Sequence, residues 1–495
     1  MNINVLFIVI GYLIFWTIFI SLMPKSEEEG IRGLALVTTL GFFILCLDLW
    51  FHFDSSSELA FQFQCQLPII PEYNLYLSLG LDGISLSFIL LTAFIMPFCI
   101  FASSTIKYNF KQFIVYILLI EIFLVLSFSV TNLFWFFVFF ESVLIPMYLL
   151  IGIWGSRSRK IAAAYYFFLY TLFGSFFLLC GLLYLYRSVE SFDYEVLYHV
   201  FLPRQDQMIL WILFFIPFAI KIPMFPFHLW LPEAHVEAPT VGSVILASLL
   251  LKLGGYGFLR FTIPMLPIAC DEFKFIIYIC AILSILYASF ATFRQSDLKR
   301  IIAYSSIAHM NVIVLGLFSG TQEGIEGAIY LMIGHGIVST ALFLLVGVLY
   351  DRYHTRSLKH YSGLAQVMPV FCFFFFIFTL ANMSFPGTCN FVGELLIFAG
   401  LFKSNNWIMI LAATGIVLSA IYSIWLYNRI SFGTLKEPRE NVNHYADLNR
   451  GEFYMFVALM IVMFALGVNS SIVTGLTSVA VRKIIVCANA KKGKD

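Results

Sequence analysis

Apolar residues recur along this chain in unbroken runs of about twenty. A bilayer core of about 30 Å takes roughly 20 apolar residues of helix. Fourteen segments meet that length: 4–23, 31–51, 80–103, 111–129, 131–154, 161–186, 208–230, 240–263, 273–293, 300–319, 325–350, 366–402, 406–429 and 453–480. The runs are continuous, so a closed barrel with alternating strands of about ten residues does not fit. An open sheet would leave its edge unsatisfied in lipid. The pattern predicts an all-α polytopic membrane protein of about 14 transmembrane helices. Between the second and third runs, residues 52–79 hold no Lys or Arg and carry Pro68, Pro71 and Asn74. That segment suits an extended stretch or a hairpin.

Two runs are interrupted. The seventh sets Pro217, Pro223 and Pro226 around Lys221, and the twelfth breaks at Ser384-Phe385-Pro386-Gly387, ahead of Glu394. Proline lacks the helix donor and clashes with the preceding turn, so each helix opens there and exposes backbone groups that hold water or steady a charge. The two breaks lie five runs apart, which predicts two five-helix repeats, 111–263 and 273–429. Units with an odd number of spans insert in opposite senses, so the repeat is inverted. Residues 1–110 then form three leading helices with their connecting loop, and 430–495 a fourteenth helix and a polar tail. Paired broken helices in an inverted repeat point to a transport site at mid-membrane.

Composition strengthens this picture. Hydrophobic residues make up 61% of the chain and charged ones 12%, against roughly 45–50% and 25% in a globular protein. Too little polar surface remains for a soluble enzyme, a nucleic-acid binder or a disordered scaffold; the expected surrounding is a lipid bilayer, with no nucleic acid. A net charge of +1 says little, but its distribution does. Loops after odd-numbered runs hold 17 basic residues, among them Arg294, Lys299, Arg300, Arg352, Arg356 and Arg439; loops after even-numbered runs hold four, Arg187, Arg204, Lys274 and Lys403. The positive-inside rule places the odd loops on the cytoplasmic or matrix side and both termini on the other face. The tail dissents, with Arg482, Lys483, Lys491, Lys492 and Lys494. The nine cysteines form no C-x-x-C pair, so paired zinc, iron–sulfur and c-type haem patterns are absent. There is also no P-loop and no G-x-G-x-x-G turn after a strand, so neither metal nor cofactor is expected in this chain. The apolar run from Val5 has no Arg-rich lead and reads as a first span rather than a presequence, which fits bacterial or organellar synthesis.

Ionisable groups inside the spans carry the chemistry. A charge at a helix centre costs about 2.5–3.5 kcal/mol on insertion scales, yet Glu121, Glu141, Lys221, Lys252 and Glu394 all lie within runs, with His309 and His335 in the tenth and eleventh. Structural ion pairs are the alternative, but apolar replacements are generally no worse for stability, so the set marks an ion path. His335 stands between Gly334 and Gly336, which leave room for water. Arg260, near a helix end, reads as a snorkelling anchor. Glu233, His235 and Glu237 would suit a metal on a strand; beside Pro232 and Pro239 they read instead as a solvated or interface loop.

Longer motifs carry a resemblance. Phe139-Phe140-Glu141-Ser142-Val143-Leu144-Ile145-Pro146, His228-Leu229-Trp230-Leu231-Pro232-Glu233-Ala234-His235 and Leu250-Leu251-Lys252-Leu253-Gly254-Gly255 resemble the subunit 4 family of NADH–ubiquinone oxidoreductase, respiratory complex I. Arg294-Gln295-Ser296-Asp297-Leu298-Lys299, Ile302-Ala303-Tyr304-Ser305-Ser306 and Leu380-Ala381-Asn382-Met383-Ser384 extend the match, which runs from about 80 to 480. The wider family includes the other antiporter-like subunits and Mrp-type cation/proton antiporters; Glu394 in place of a lysine is similar to subunit 4. The resemblance implies a switchable Glu141–Lys221 pair, Lys252 as central proton site and Glu394 as terminal site. Further candidates for relay or support are Glu121, His228, His235, His309, Pro223 and Pro386. The resemblance places FMN, iron–sulfur clusters and ubiquinone in other subunits, so the activity, H+-translocating NADH:ubiquinone reductase, belongs to the assembly. Expected partners are other membrane subunits, especially the neighbouring subunits 2 and 5. The implied location is the mitochondrial inner membrane, termini on the intermembrane-space side. A Mrp-type antiporter and a plastid or bacterial homologue are the alternatives.

The physics of the named groups is independent of the resemblance. Moving one proton against about 150–200 mV takes roughly 3.5–4.5 kcal/mol, a swing of about three pKa units. Opening or closing one buried Glu–Lys pair is of that order. The expected route runs from the Lys-rich face to Lys252, then by water and His335 to Glu394. His309 either stabilises a bend or joins the relay, and Glu121 either pairs across an interface or serves as a lateral stepping stone.

Overall fold

The computed structural model describes residues 5–57, 59–70, 75–436 and 446–492; Pro71, Asn74, Arg439 and Lys494 lie outside them. Helices α1 (Val5–Leu22) and α2 (Glu28–His52) lead into an antiparallel hairpin, β1 (Gln62–Ile70) and β2 (Leu75–Leu81), with Cys65 opposite Leu79. The hairpin expectation for 52–79 is met. Then follow α3 (Gly83–Ala102), α4 (Phe110–Ser129), α5 (Leu133–Ser142), α6 (Leu144–Trp154), α7 (Lys160–Val189), α8 (Tyr194–His199) and α9 (Arg204–Lys221). After α10 (Trp230–Glu237) comes the long α11 (Thr240–Met265), with the short α12 (Pro267–Glu272) behind it. The chain continues through α13 (Lys274–Arg294), α14 (Leu298–Leu317), α15 (Gln322–Tyr353), α16 (Pro369–Asn382), α17 (Cys389–Ser404) and α18 (Asn406–Ser431). It ends with α19 (Arg450–Val468) and α20 (Ser471–Lys492). Among the described residues 13 helical stretches are long and apolar enough to cross a membrane.

Both expected breaks are present. The seventh run stops at Lys221 and resumes at Trp230; the twelfth stops at Asn382 and resumes at Cys389, and neither counts as a continuous apolar helix. Two further irregularities lie outside the expected breaks; Pro146 and Pro264, four residues after Ser142 and Arg260, remove the donors those carbonyls would take, and only the turn at Leu246–Leu250 has no such proline. The fifth run is interrupted at Val143, directly after Glu141 and Ser142. In α11, wide π turns at Leu246–Leu250 and Phe258–Thr262 flank Lys252. Such turns loosen the i−4 ladder and free carbonyls for side chains.

The helices gather into two compact units, Met1–Lys221 with Leu253–Lys274 and Val473–Asp495, and Ile222–Lys252 with Phe275–Ile472. In the first, Asp82 caps α3 by accepting the Ser85 amide at 2.9 Å and pairs with Arg260, itself 2% exposed. Arg260 is therefore no snorkelling anchor. Its guanidinium points inward, between the Phe61 and Tyr256 rings, because Asp82 supplies the charge that water would otherwise supply. In the second unit, α14, α15 and α17 are held close by small residues. A Cβ on Gly327 would come within 2.7 Å of the Ile397 amide, and one on Gly393 within 2.8 Å of the Leu331 backbone. Without hydrophobic drive between helices in lipid, such close backbone approach is what binds them.

The C-terminal region differs from the expected single helix and polar tail. Asn469 accepts the Ser471 amide at 3.2 Å and its hydroxyl at 2.6 Å, ending α19 and starting a new helix. Helix α20 is apolar enough to span, but its contacts place it along one end of the first unit. The Leu476 carbonyl lies against Gly83, where a Cβ would sit 1.8 Å away. Cys487 contacts the Tyr198 carbonyl, Lys491 those of Leu197 and Pro264, and Lys492 pairs with Asp271. Bridges and hydrogen bonds join these same loops: Leu79 with Val130, Asn132 with Asp193, Gln207 with Ile268. Both ends of a helix about 33 Å long thus meet one face. Its buried residues Val473, Leu476, Thr477, Val481, Ile484, Ala488 and Lys491 form one stripe that packs on that face.

Asp82→Asn leaves the buried Arg260 charge unpaired and should cost about 3 kcal/mol, while adding Arg260→Met should restore most of it. The thermal unfolding midpoint of the solubilised assembly measures both.

Candidate functional site

In the first unit Glu141 lies in the last turn of α5, where Ser175 and Lys221 face its carboxyl. Lys221 is the last residue of α9 and 3% exposed. A helix ends here because the chain must pass Pro223 and Pro226, and the unpaired carbonyls of a C-terminus favour a cation. The Lys221 ammonium rests 4.6 Å from the Phe140 ring centre, a cation–π contact. No ion pair within 4 Å closes between Glu141 and Lys221 among the described residues. The two charges sense one another without touching.

In the second unit four titratable side chains stand in line. Lys252 Nζ donates to the Ala247 carbonyl at 2.7 Å and meets His335 Nδ1 at 2.8 Å. Ala247 belongs to the first π turn, so the loosened ladder is what offers that carbonyl. The His335 ring centre is 5.9 Å from that of His309. His309 Nδ1 lies 3.2 Å from Glu394 Oε1. All four are at most 5% exposed. Each close pair can share one proton: a bond between Nζ and Nδ1 needs one bare nitrogen, and the His309–Glu394 contact likewise needs one donor. The remaining Glu394 oxygen and His309 Nε2 have no protein partner in this arrangement. The contact with Glu394 is the geometry that a relay through His309 would need.

A second group leads toward Lys252. His235 is fully buried, stacked 4.8 Å from Phe343, with both ring nitrogens unpartnered. Lys252 and Lys299 are its charged neighbours. Lys299, 2% exposed, donates to the Ala238 carbonyl at 2.8 Å and to Ser243 Oγ at 3.2 Å. Arg356, 1% exposed, grips the Val236 carbonyl. Two buried cations thus hold the C-terminal end of α10, where the helix dipole is negative. The loop expected around Glu233, His235 and Glu237 is instead helix α10. At helical spacing His235 points away from the two glutamates; Glu233 pairs with Arg300 at 2.6 Å, so the three do not converge on a metal.

The other expected residues are placed apart from these groups. Glu121 is wholly buried on α4, facing Tyr12, Cys46 and Cys99, and neither carboxyl oxygen has a protein partner. It faces its own bundle, not an outer surface. His228 lies in the turn after α9, its ring 4.9 Å from that of Tyr287. Pro223 and Pro386 stand in the two breaks, where Asn311 Nδ2 approaches the Pro223 carbonyl at 3.4 Å. Sequence reasoning missed Lys299 and Arg356 because both were counted as loop charges. The available signal was Asp297, whose carboxylate caps α14 through the Lys299 amide and places Lys299 inside the helix.

The sequence and the fold are shared with known proteins. The family model described as "NADH:quinone oxidoreductase/Mrp antiporter, TM" matches residues 130–421. NADH-ubiquinone oxidoreductase chain 4 of Chondrus crispus is 49% identical over 448 residues, covering 90% of each chain. The chain 4 protein of Arabidopsis thaliana is 49% identical over 453 residues, covering 91% of each. A chain of respiratory complex I from Thermus thermophilus, solved with bound NADH, superposes with a TM-score of 0.86 at 29% identity, covering 98% of this chain and 99% of that one. The chain therefore belongs to the NADH:quinone oxidoreductase/Mrp antiporter transmembrane family. Within it, the chain belongs with the chain 4 proteins of NADH-ubiquinone oxidoreductase.

Gly334 lets α17 approach the buried line: a Cβ there would sit 2.8 Å from Asn390 Oδ1 and 3.1 Å from Cys389 Sγ. Gly334→Ala should still assemble but pump several-fold more slowly, as dye quenching in vesicles reports. Gly33→Ala, at a position open to space, should leave the rate unchanged.

Proposed function

We propose how this chain, an antiporter-like membrane subunit of proton-pumping NADH:ubiquinone oxidoreductase, moves protons. The observation that carries the reading is the buried line Lys252–His335–His309–Glu394, each close pair able to share a proton. A proton taken up on the Lys-rich face reaches Lys252 by way of Lys299 and His235. From Lys252 it passes to His335 and then, with a water or a ring rotation bridging the two imidazoles, to His309 and Glu394. Glu394 releases it to the opposite face.

The Glu141–Lys221 couple is the switch. Closed, the carboxylate neutralises Lys221 and favours a charged Lys252; open, the bare Lys221 charge disfavours it and drives the proton onward. Two unit charges at 4 Å interact by about 4 kcal/mol at an effective dielectric of 20. That matches the roughly 3.5–4.5 kcal/mol needed per proton against about 150–200 mV. The seat of Lys221 over Phe140 supports a couple that closes and opens without large movement. Segments 111–263 and 273–429 act as an inverted pair.

The driving reaction lies elsewhere in the assembly, with FMN, iron–sulfur clusters and ubiquinone in other subunits. The adjoining membrane subunits are the antiporter-like subunits 2 and 5. The assembly sits in the mitochondrial inner membrane with this chain's termini on the intermembrane-space side; the relatives' names and the basic loops support that placement. Glu141→Ala and Lys221→Ala should each abolish proton pumping in complexes that assemble at normal levels, measured as NADH-driven acidification of vesicles. Normal pumping in a fully assembled Glu141→Ala complex contradicts the switch.

A further inference from the structure

The line of titratable groups ends on a carboxyl that is only half satisfied. Glu394 Oε1 faces His309 Nδ1 at 3.2 Å, while Oε2 has no protein partner. Helix α18 packs against both α14 and α17, the helices that carry His309 and Glu394. It brings in Tyr422, 1% exposed, whose hydroxyl is also without a partner. Glu394 is its charged neighbour, yet no hydrogen bond closes between the two. The Phe293 ring, 6.2 Å away and edge-on, seats the phenol from one side. Asn382 Nδ2 donates to Oγ of the next residue, Ser423, at 3.2 Å, which pins α18 to the end of α16. One turn before Glu394, Asn390 Nδ2 is buried and unpartnered as well. Buried polar side chains are nearly always paired with protein or ordered water, and such a water takes about two to four polar partners. Glu394 Oε2, Tyr422 Oη and Asn390 Nδ2 supply them.

We propose that Tyr422 governs proton release from Glu394: its hydroxyl, directly or through one bound water, donates to Glu394 Oε2 once the carboxylate is bare. This role rests on Glu394 being the terminal site of the line. Only O–H bonds change: the proton leaves Glu394 through water for the opposite face, and the Tyr422 proton stays on its own oxygen. A hydrogen bond donated to the ionised form favours that form, so Tyr422 stabilises the state that has given its proton up. A phenol suits the task because it keeps its proton throughout the working pH range and adds no charge. Tyr422 is thus a positioning residue that acts through Glu394. The other helices packed on α17 leave this oxygen to it. From α15, His335 stands behind His309, the Tyr330 hydroxyl donates to the Leu466 carbonyl, and Glu323 and Glu326 lie in the first turns, meeting Lys403 and Gln322. Helix α16 carries no charged residue and its thiol, Cys372, faces Ser431; the charges of α19 lie in its first turn, where Glu452 meets Arg352.

Two measurements on the assembled complex test this role. In the resting complex, without NADH, dicyclohexylcarbodiimide reacts with buried carboxyls in their protonated form, and peptide mass spectrometry reads the label on Glu394. In Tyr422→Phe, which removes one oxygen, labelling should persist to a pH about one to two units higher than in the wild type, the weight of a hydrogen bond to a charged group. In vesicles with the outer pH held constant, NADH-driven pumping by Tyr422→Phe should fail at a luminal pH higher by the same amount, since the lumen is where Glu394 releases. Ser419→Ala removes another buried hydroxyl of α18, one bonded to its own Ile416 carbonyl at 2.8 Å, and should shift neither profile. Tyr422→Gln keeps a donor at the site and should label as the wild type does, which serves where the phenylalanine variant does not assemble. An unshifted label in assembled Tyr422→Phe, or a shift of that size in Ser419→Ala or Tyr422→Gln, overturns the role of Tyr422. A shifted label with an unshifted pumping profile instead overturns release through Glu394.

Discussion

A charge in hydrocarbon must be shared or neutralised, and this constraint shapes the second unit. Lys252, His335, His309 and Glu394 are all withdrawn from solvent, and each finds its partner in another titratable group or a freed carbonyl. Such contacts hold a proton without fixing which side owns it. A tight carboxylate–guanidinium pair does the opposite. Asp82 and Arg260, equally buried, keep their charges and serve as a structural pin. The difference lies in the groups: an arginine cannot give up its proton, whereas lysine, histidine and glutamate can.

Departures from regular helix position these groups. The chain stops at Lys221 because prolines follow; it resumes at Cys389, five residues before Glu394; and it widens at Leu246–Leu250 to offer Lys252 a carbonyl. Irregular backbone at membrane depth is tolerated only where protein or water satisfies it. Here the satisfying groups are the functional side chains themselves. Close helix contact at Gly327 and Gly393 then keeps α15 and α17, which carry His335 and Glu394, within reach of each other.

Features that rest on local chemistry could be read from the chain alone. The proline breaks at Lys221 and ahead of Glu394, the paired strands at 62–70 and 75–81 and the burial of Lys221, Lys252 and Glu394 all follow from residue type and spacing. What escaped depends on packing between distant segments. His309 and Glu394 are 85 residues apart, and Arg260 and Asp82 178 apart. Asp297 marks Lys299 as a helix residue, but nothing local separates an exposed helical lysine from a buried one. The first π turn of α11 has no proline to announce it, whereas Pro264, four residues after Arg260, marks the second. Helix α20 has the apolarity of a span, and only its contacts reveal a helix lying along one face.

The central claim is that protons pass along the buried side chains of this subunit, and His309 is the link whose loss breaks the line without removing a lysine or a carboxylate. The direct measurement is the number of protons translocated per NADH oxidised by the reconstituted complex carrying His309→Leu, assembled to the normal level. The ratio should fall below that of the wild type, because Glu394 no longer receives from His335. An unchanged ratio would show that protons cross without this line.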